Sequence, residues 1–279
     1  MNVKGKLSLR VSVCDFTNIL TSQTFFHQPH ETYIFEGELM YTLLLVLFTM
    51  IVSLIITPII IKISYRLGIV DKPNYRKIHK QPISVLGGTV ILFSFLIGIW
   101  LGHPIETEVK PLIIGAVIIY LVGLIDDIYD LKPLVKLAGQ IVAALVVVFY
   151  GVTIDFISLP IGPTIHFGIL SVPITVIWII AITNAINLID GLDGLASGVS
   201  AIALLTIGFI AILQGNIFII MICSVLFGTL LGFLVFNFHP AKIFLGDSGA
   251  LLIGFIVGFL SLLGFKNITF VSLFFPIVI

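Results

Sequence analysis

The chain alternates long apolar runs with short polar segments, and the runs set its architecture. Eight runs read as complete spans, near 41–62, 86–102, 111–126, 134–150, 172–188, 195–213, 217–236 and 249–265. A ninth begins near 268 and is cut off at Ile279. A helix needs about 20 mainly apolar residues to cross a bilayer. Inside lipid it also satisfies its own backbone hydrogen bonds, which an isolated strand cannot do. The pattern therefore predicts an all-α polytopic membrane protein with eight complete transmembrane helices and the start of a ninth. No repeat of fixed period is visible.

Composition agrees with the pattern. The 279 residues are 59% hydrophobic and 10% charged, where a soluble domain carries about 25% charged residues. Basic and acidic residues number 14 each, so net charge gives no ground for a nucleic-acid partner. Cys14 lies in a polar segment and Cys223 in an apolar run, which makes neither a disulfide framework nor a metal site. An apolar exterior is compatible with a homodimer but does not point to one.

Residues 1–39 form a polar N-terminal extension that lacks the apolar core of a signal peptide. Residues 40–279 form the transmembrane domain. Glu36-Gly37-Glu38 can be encoded by a purine-rich run resembling a bacterial ribosome-binding site, directly before Met40. Met40 is therefore expected to be the native start, with the extension a translated leader. An intact mass that begins at Met1 would refute this.

Charge sets the orientation. Lys62, Arg66, Lys72, Arg76, Lys77 and Lys80 cluster in and around the 63–85 loop, which makes that loop cytoplasmic by the positive-inside rule. Alternation then places segments 127–136, 189–194 and 237–248 on the same side, with Lys132, Lys136 and Lys242. Asp71, Asp126, Asp127, Asp130, Asp190, Asp193 and Asp247 all fall there too. Carboxylates beside lipid are costly and usually functional. Gathered with lysines at one face, they suggest magnesium and phosphate chemistry.

Four segments carry that chemistry. Lys80 to Gly88 closes the basic loop and opens a span. Its lysine suits a phosphate, and its Gly87-Gly88 pair suits close backbone approach, by a ligand or by a packed helix. Gly123 to Lys132 holds the adjacent carboxylates Asp126 and Asp127, which both stay ionised only near a cation. Asp127 and Asp130, three apart, are expected on one helix face. Asn184, Asn187 and Asp190 repeat every three residues, a polar stripe on an apolar helix, followed by Gly191, Asp193 and Gly194. Asn237 to Gly249 places Asp247 between glycines at the start of a span, where backbone N–H groups attract anions. His239, beside Pro240, reads as structural.

In this order the four segments resemble the polyprenyl-phosphate N-acetylhexosamine-1-phosphate transferase family, over about residues 41–279. The resemblance implies transfer of N-acetylglucosamine 1-phosphate from UDP-N-acetylglucosamine to undecaprenyl phosphate, with release of UMP. It implies a plasma-membrane enzyme that uses Mg2+ and works on the cytoplasmic face, feeding teichoic acid or another envelope polysaccharide. By the same resemblance Asn187 and Asp247 are metal ligands, and Asp126 contacts or deprotonates the lipid phosphate. Lys80 is a basic substrate contact, and Asp190 and Asp193 meet the nucleotide sugar. Asp126, Asp127, Asp190 and Asp193 make the implied catalytic set; Asn184, Lys132 and Lys242 join Lys80 in the substrate-binding set. The related branch that transfers phospho-N-acetylmuramoyl-pentapeptide has Thr-Pro-Thr-Met before the glycine pair. Here the sequence reads Ile83-Ser84-Val85-Leu86, which favours the N-acetylglucosamine branch. The family also carries a C-terminal cytoplasmic loop with closely spaced histidines and an arginine, so the catalytic domain reads as incomplete at its C-terminus. A secondary transporter is the alternative from another class. It would place ionisable groups near the membrane midplane between repeated halves, and neither feature is seen.

Overall fold

The computed structural model describes residues 29–71, 81–104, 106–158 and 164–264. The chain divides into two units, Met1–Tyr41 and Thr42–Ile279. Among the described residues, eight α-helices follow in order: α1 (Pro29–Leu67), α2 (Gly87–Gly102), α3 (Val109–Tyr129), α4 (Pro133–Phe149), α5 (Ser171–Ile189), α6 (Leu195–Gln214), α7 (Ile217–Asn237) and α8 (Gly246–Gly264). Six contain a segment long and apolar enough to cross a membrane, namely Met40–Leu67, Val109–Tyr129, Gly168–Ile189, Leu195–Gln214, Ile217–Asn237 and Gly246–Gly264. α2 and α4 are apolar but shorter, at 16 and 17 residues. The expected ninth span lies outside the described residues, as does Lys80.

Two boundaries differ from the sequence reading for physical reasons. α1 begins at Pro29 rather than near 41. Once nucleated, a helix gains one bond per added residue, and proline is tolerated at a first helical position, where its missing N–H costs nothing. α8 begins at Gly246 rather than 249, which brings Asp247 inside its first turn. Two short antiparallel ribbons also interrupt the all-helical plan. β1 (Val70–Asp71) pairs with β2 (Ile83–Ser84), and β3 (Phe156–Ser158) with β4 (Thr164–His166). They satisfy backbone groups where helices have ended.

α8 is the axis of the bundle. It packs against α2, α3, α5, α6 and α7, and its side chains from Ser248 to Leu262 are buried. Small residues make this possible, because lipid supplies no hydrophobic force between helices and close contact must supply dispersion. A Cβ on Gly123 of α3 would lie 2.6 Å from the Ser248 nitrogen, and one on Gly254 would lie 2.7 Å from the Thr183 Cα. α4 shows the opposite face of the same physics. It buries Gln140, Ala143, Ala144 and Val147 and exposes Leu134, Val135, Leu137, Ile141, Val142, Leu145 and Phe149. Large apolar groups outside and a buried amide inside suit lipid as the surrounding medium.

Candidate active site

The helix ends at one side of the bundle converge on Asp247. α3 delivers Asp126 and Asp127 from its last turn, α4 delivers Lys136 from its first, and α5 delivers Asn187 from its last. The Lys136 ammonium lies 2.6 Å from Asp247 Oδ1 and 2.8 Å from Asp126 Oδ2. Asn187 Nδ2 donates to the same Asp247 oxygen at 2.5 Å. Asp126 Oδ1 accepts the Leu131 N–H at 2.7 Å, so both oxygens of that buried carboxylate are engaged. The Lys136 ammonium thus bridges the two carboxylates, placing one positive charge between two negative ones. A cavity of about 340 Å³ opens here, lined by Asp126, Asp130, Leu131, Pro133, Lys136, Leu137, Gln140, Asn184, Asn187 and Asp247.

Asp127 turns elsewhere. Its Oδ1 accepts the Asp247 N–H at 2.7 Å and its Oδ2 accepts the Ser248 N–H at 3.1 Å. These are two of the N-terminal amides that a helix leaves unpaired, so Asp127 caps α8 from across the bundle. Its negative charge also complements the positive end of that helix dipole. Asp127 therefore anchors the turn that carries Asp247. It does not share a helix face with Asp130, because α3 ends at Tyr129 and Asp130 takes a left-handed conformation with φ 52°.

The glycine pair is a packing device. Gly87 and Gly88 donate their N–H groups to the carbonyls of Phe244 and Leu245 at 3.1 and 3.0 Å. The Phe244 N–H in turn donates to the Ser84 carbonyl at 2.8 Å. The segment before α2 is thereby zipped to the segment before α8.

The remaining sequence candidates separate. Asn184 lines the cavity floor, where its amide exchanges hydrogen bonds with Gln140 of 2.7 and 3.1 Å. Asp193 belongs to a second cluster, in which its Oδ2 lies 2.8 Å from His239 Nδ1 and accepts the Ala241 N–H at 3.1 Å. That cluster ties the loop after α5 to the loop before α8, and it gives His239 a partner the sequence did not reveal. Lys132 and Lys242 are exposed and do not line the cavity.

Asp190 follows the last residue of α5. Burial, then the charges of Asp247 and Asp127, push its carboxyl up from the usual range to about 7. The native state therefore holds this proton over a pH range where the unfolded chain, with a carboxyl pKa of about 4, has released it. Stability from this group is present at low pH and is lost as pH rises through about 7. In chelator-containing detergent, Asp190→Asn is expected to match wild type in Tm below about pH 4 and to exceed it increasingly up to about pH 7, beyond which the gap levels off. A gap that narrows with rising pH would contradict this.

Lys136 and Gln140 are the residues sequence reading passed over. Lys136 is the only charged residue in the apolar run 134–150, and Gln140 lies one turn on. An ionisable group and an amide on one face of a lipid-facing helix were the available signal.

The donor set suits a hard cation. Asp126, Asp247 and the Asn187 carbonyl offer only oxygen, and an ammonium already occupies the point between the carboxylates. Among the described residues no group of three or more His, Cys, Asp or Glu could hold a metal.

An apolar-surfaced helical bundle with six segments long and apolar enough to cross a membrane, and with carboxylates, a lysine and an amide gathered at one end, is the architecture of a polytopic membrane protein. A family model described as glycosyl transferase family 4 matches residues 110–265, and the chain belongs to that family. It is 41% identical over 234 residues to a probable undecaprenyl-phosphate N-acetylglucosaminyl 1-phosphate transferase of Bacillus subtilis, covering 83% of this chain and 65% of the relative. It is 35% identical over 216 residues to a decaprenyl-phosphate N-acetylglucosaminephosphotransferase of Mycolicibacterium smegmatis, covering 70% and 53%. A phospho-N-acetylmuramoyl-pentapeptide-transferase of Streptococcus uberis is 33% identical over 238 residues, covering 76% and 71%. The chain thus spans between 53% and 65% of the length of the first two.

Proposed function

We propose that this chain carries the core of an enzyme that moves N-acetylglucosamine 1-phosphate from UDP-N-acetylglucosamine to undecaprenyl phosphate, releasing UMP. The observation that carries the reading is the convergence of Asp126, Lys136 and Asn187 on Asp247 at the end of the bundle that also holds Lys62, Arg66, Lys132 and Lys242. The basic residues make that end cytoplasmic, where nucleotide sugars are found. All eight helices cross the plasma membrane in this reading. α2 and α4, at about 24–26 Å, cross by drawing the bilayer thinner around them.

The lipid phosphate attacks the phosphorus that bears the sugar. The bond from that phosphorus to the bridging oxygen breaks, and its electron pair leaves with UMP. A phosphate monoester has a second pKa of about 6, so the attacking oxygen is already mostly deprotonated at neutral pH. Asp126, with one oxygen on Leu131 N–H and the other on Lys136, is better suited to placing the attacking group than to taking a proton. Lys136 contributes positive charge where two anionic substrates meet. Asp247 and Asn187 would hold Mg2+, which when bound would neutralise charge that develops on the diphosphate. The exposed apolar face of α4 continues from Leu137 at the cavity lip, and there it offers the isoprenoid tail a path that keeps it in lipid.

The test supplies the complete protein in detergent with undecaprenyl phosphate, magnesium and tritiated UDP-N-acetylglucosamine. Label in the lipid phase that requires magnesium supports the reading. Label only from UDP-N-acetylmuramoyl-pentapeptide would move it to the branch represented by the Streptococcus uberis relative.

A further inference from the structure

Two side chains reach one oxygen of Asp247 from different helices, Lys136 from α4 and Asn187 from α5. Among the described residues, no chain connection joins those two helices at this end. Lys136 is near the start of α4 and Asn187 near the end of α5, so the connection through Tyr150–Leu170 lies at the far end of both. Against its neighbours α4 buries chiefly Ala143, Ala144 and Val147. Small apolar surfaces of that kind pack closely but are not directional.

The directional contact is an amide pair one turn below the site. Gln140 Nε2 donates to Asn184 Oδ1 at 3.1 Å, and Asn184 Nδ2 donates back to Gln140 Oε1 at 2.7 Å. Asn184 Nδ2 also donates to the Ile180 carbonyl at 2.9 Å, which fixes its rotamer to its own helix. Gln140 is only 2% exposed. Lys136 and Gln140 are four apart on α4, and Asn184 and Asn187 three apart on α5, so each member of the pair stacks under a residue that reaches Asp247.

We infer that Gln140 is a positioning residue whose reciprocal hydrogen bonds with Asn184 set the register of α4 against α5, so that Lys136 and Asn187 meet at Asp247. This rests on the proposed transfer reaction for its kinetic consequence, but not for its effect on the cation site. A slip of one helix along the other breaks both bonds of the pair. The register is therefore held by geometry rather than by general apolar packing.

The test compares wild type with Gln140→Met, Gln140→Asn, Asn184→Gln and the double swap Gln140→Asn/Asn184→Gln. Methionine keeps the length and volume of glutamine and removes its amide; the swap keeps two facing amides of the same combined length. Mn2+ binding is read from the free-ion EPR signal, alongside Tm, kcat and KM for UDP-N-acetylglucosamine. The expected result is Mn2+ binding at least tenfold weaker in Gln140→Met, with kcat at least tenfold lower and KM within threefold of wild type. The swap is expected to bind Mn2+ within threefold of wild type, better than either single variant. Unchanged Mn2+ affinity in Gln140→Met overturns the inference. So does a folded swap that binds no better than the worse single variant, or a wild-type protein that does not bind Mn2+. A wild type that binds Mn2+ and yields no labelled lipid would instead defeat the proposed donor and acceptor, leaving the positioning role intact.

Discussion

Asp247→Ala is expected to lower turnover by on the order of 10³-fold or more, because charge stabilisation at such a site supplies several kcal/mol. Membrane insertion and the Tm of the bundle change little by comparison. The carboxylate is touched by both Lys136 and Asn187. Removing it leaves Lys136 to Asp126 alone, frees the Asn187 amide to rotate, and deletes one of the two proposed cation ligands. The helix itself keeps its cap, since Asp127 accepts the backbone N–H of residue 247 whatever its side chain. Folding and chemistry are therefore separable at this position. The check is kcat in detergent beside a melting curve. Turnover within tenfold of wild type would remove Asp247 from the reacting centre.

Gly88→Ala is expected to have the second largest effect, although residue 88 contacts no substrate in this account. A Cβ there would stand 2.5 Å from the carbonyl carbon and from Oγ of Ser248. The carbonyl carbon is backbone in the first turn of α8 and cannot rotate away. Either α2 or the start of α8 must shift, at about 1–3 kcal/mol for overpacking a close contact. The shift falls one residue from Asp247. A displacement of about 1 Å at such a site can cost on the order of 10²-fold in rate. The expected variant inserts and folds with a lowered Tm and a kcat at least tenfold down. Gly191→Ala is the control, because its Cβ would meet nothing within 4 Å. Equal activity in the two variants would mean that the zipper between the segments before α2 and α8 does not govern the site.

Much of this was legible in the sequence, and the reason is the solvent. Lipid makes apolar runs into helices with little ambiguity, so the core of each described helix coincides with a run. Helix ends were less legible, because they depend on partners far away in the chain. α8 starts at Gly246 since Asp127, 120 residues before Asp247, caps it. The gathering of aspartates at one end was visible from spacing and charge. Their division of labour was not: Asp126 and Asp127 are neighbours in sequence, yet one faces Lys136 and the other the backbone of α8. Lys136 was counted only as a basic loop residue. Its place between two carboxylates depends on α3, α4 and α8 meeting, a three-body fact that no local pattern records.

The central claim is that a sugar phosphate, rather than a sugar, is moved. The measurement that tests it most directly uses UDP-N-acetylglucosamine carrying tritium in the sugar and ³²P in the phosphate next to it. After incubation of the complete protein with undecaprenyl phosphate and magnesium, both labels are expected in the lipid phase in equal proportion, with unlabelled UMP in the water. Tritium in the lipid with ³²P left behind in UDP would contradict the account, since the site would then be cutting the bond on the other side of that phosphate.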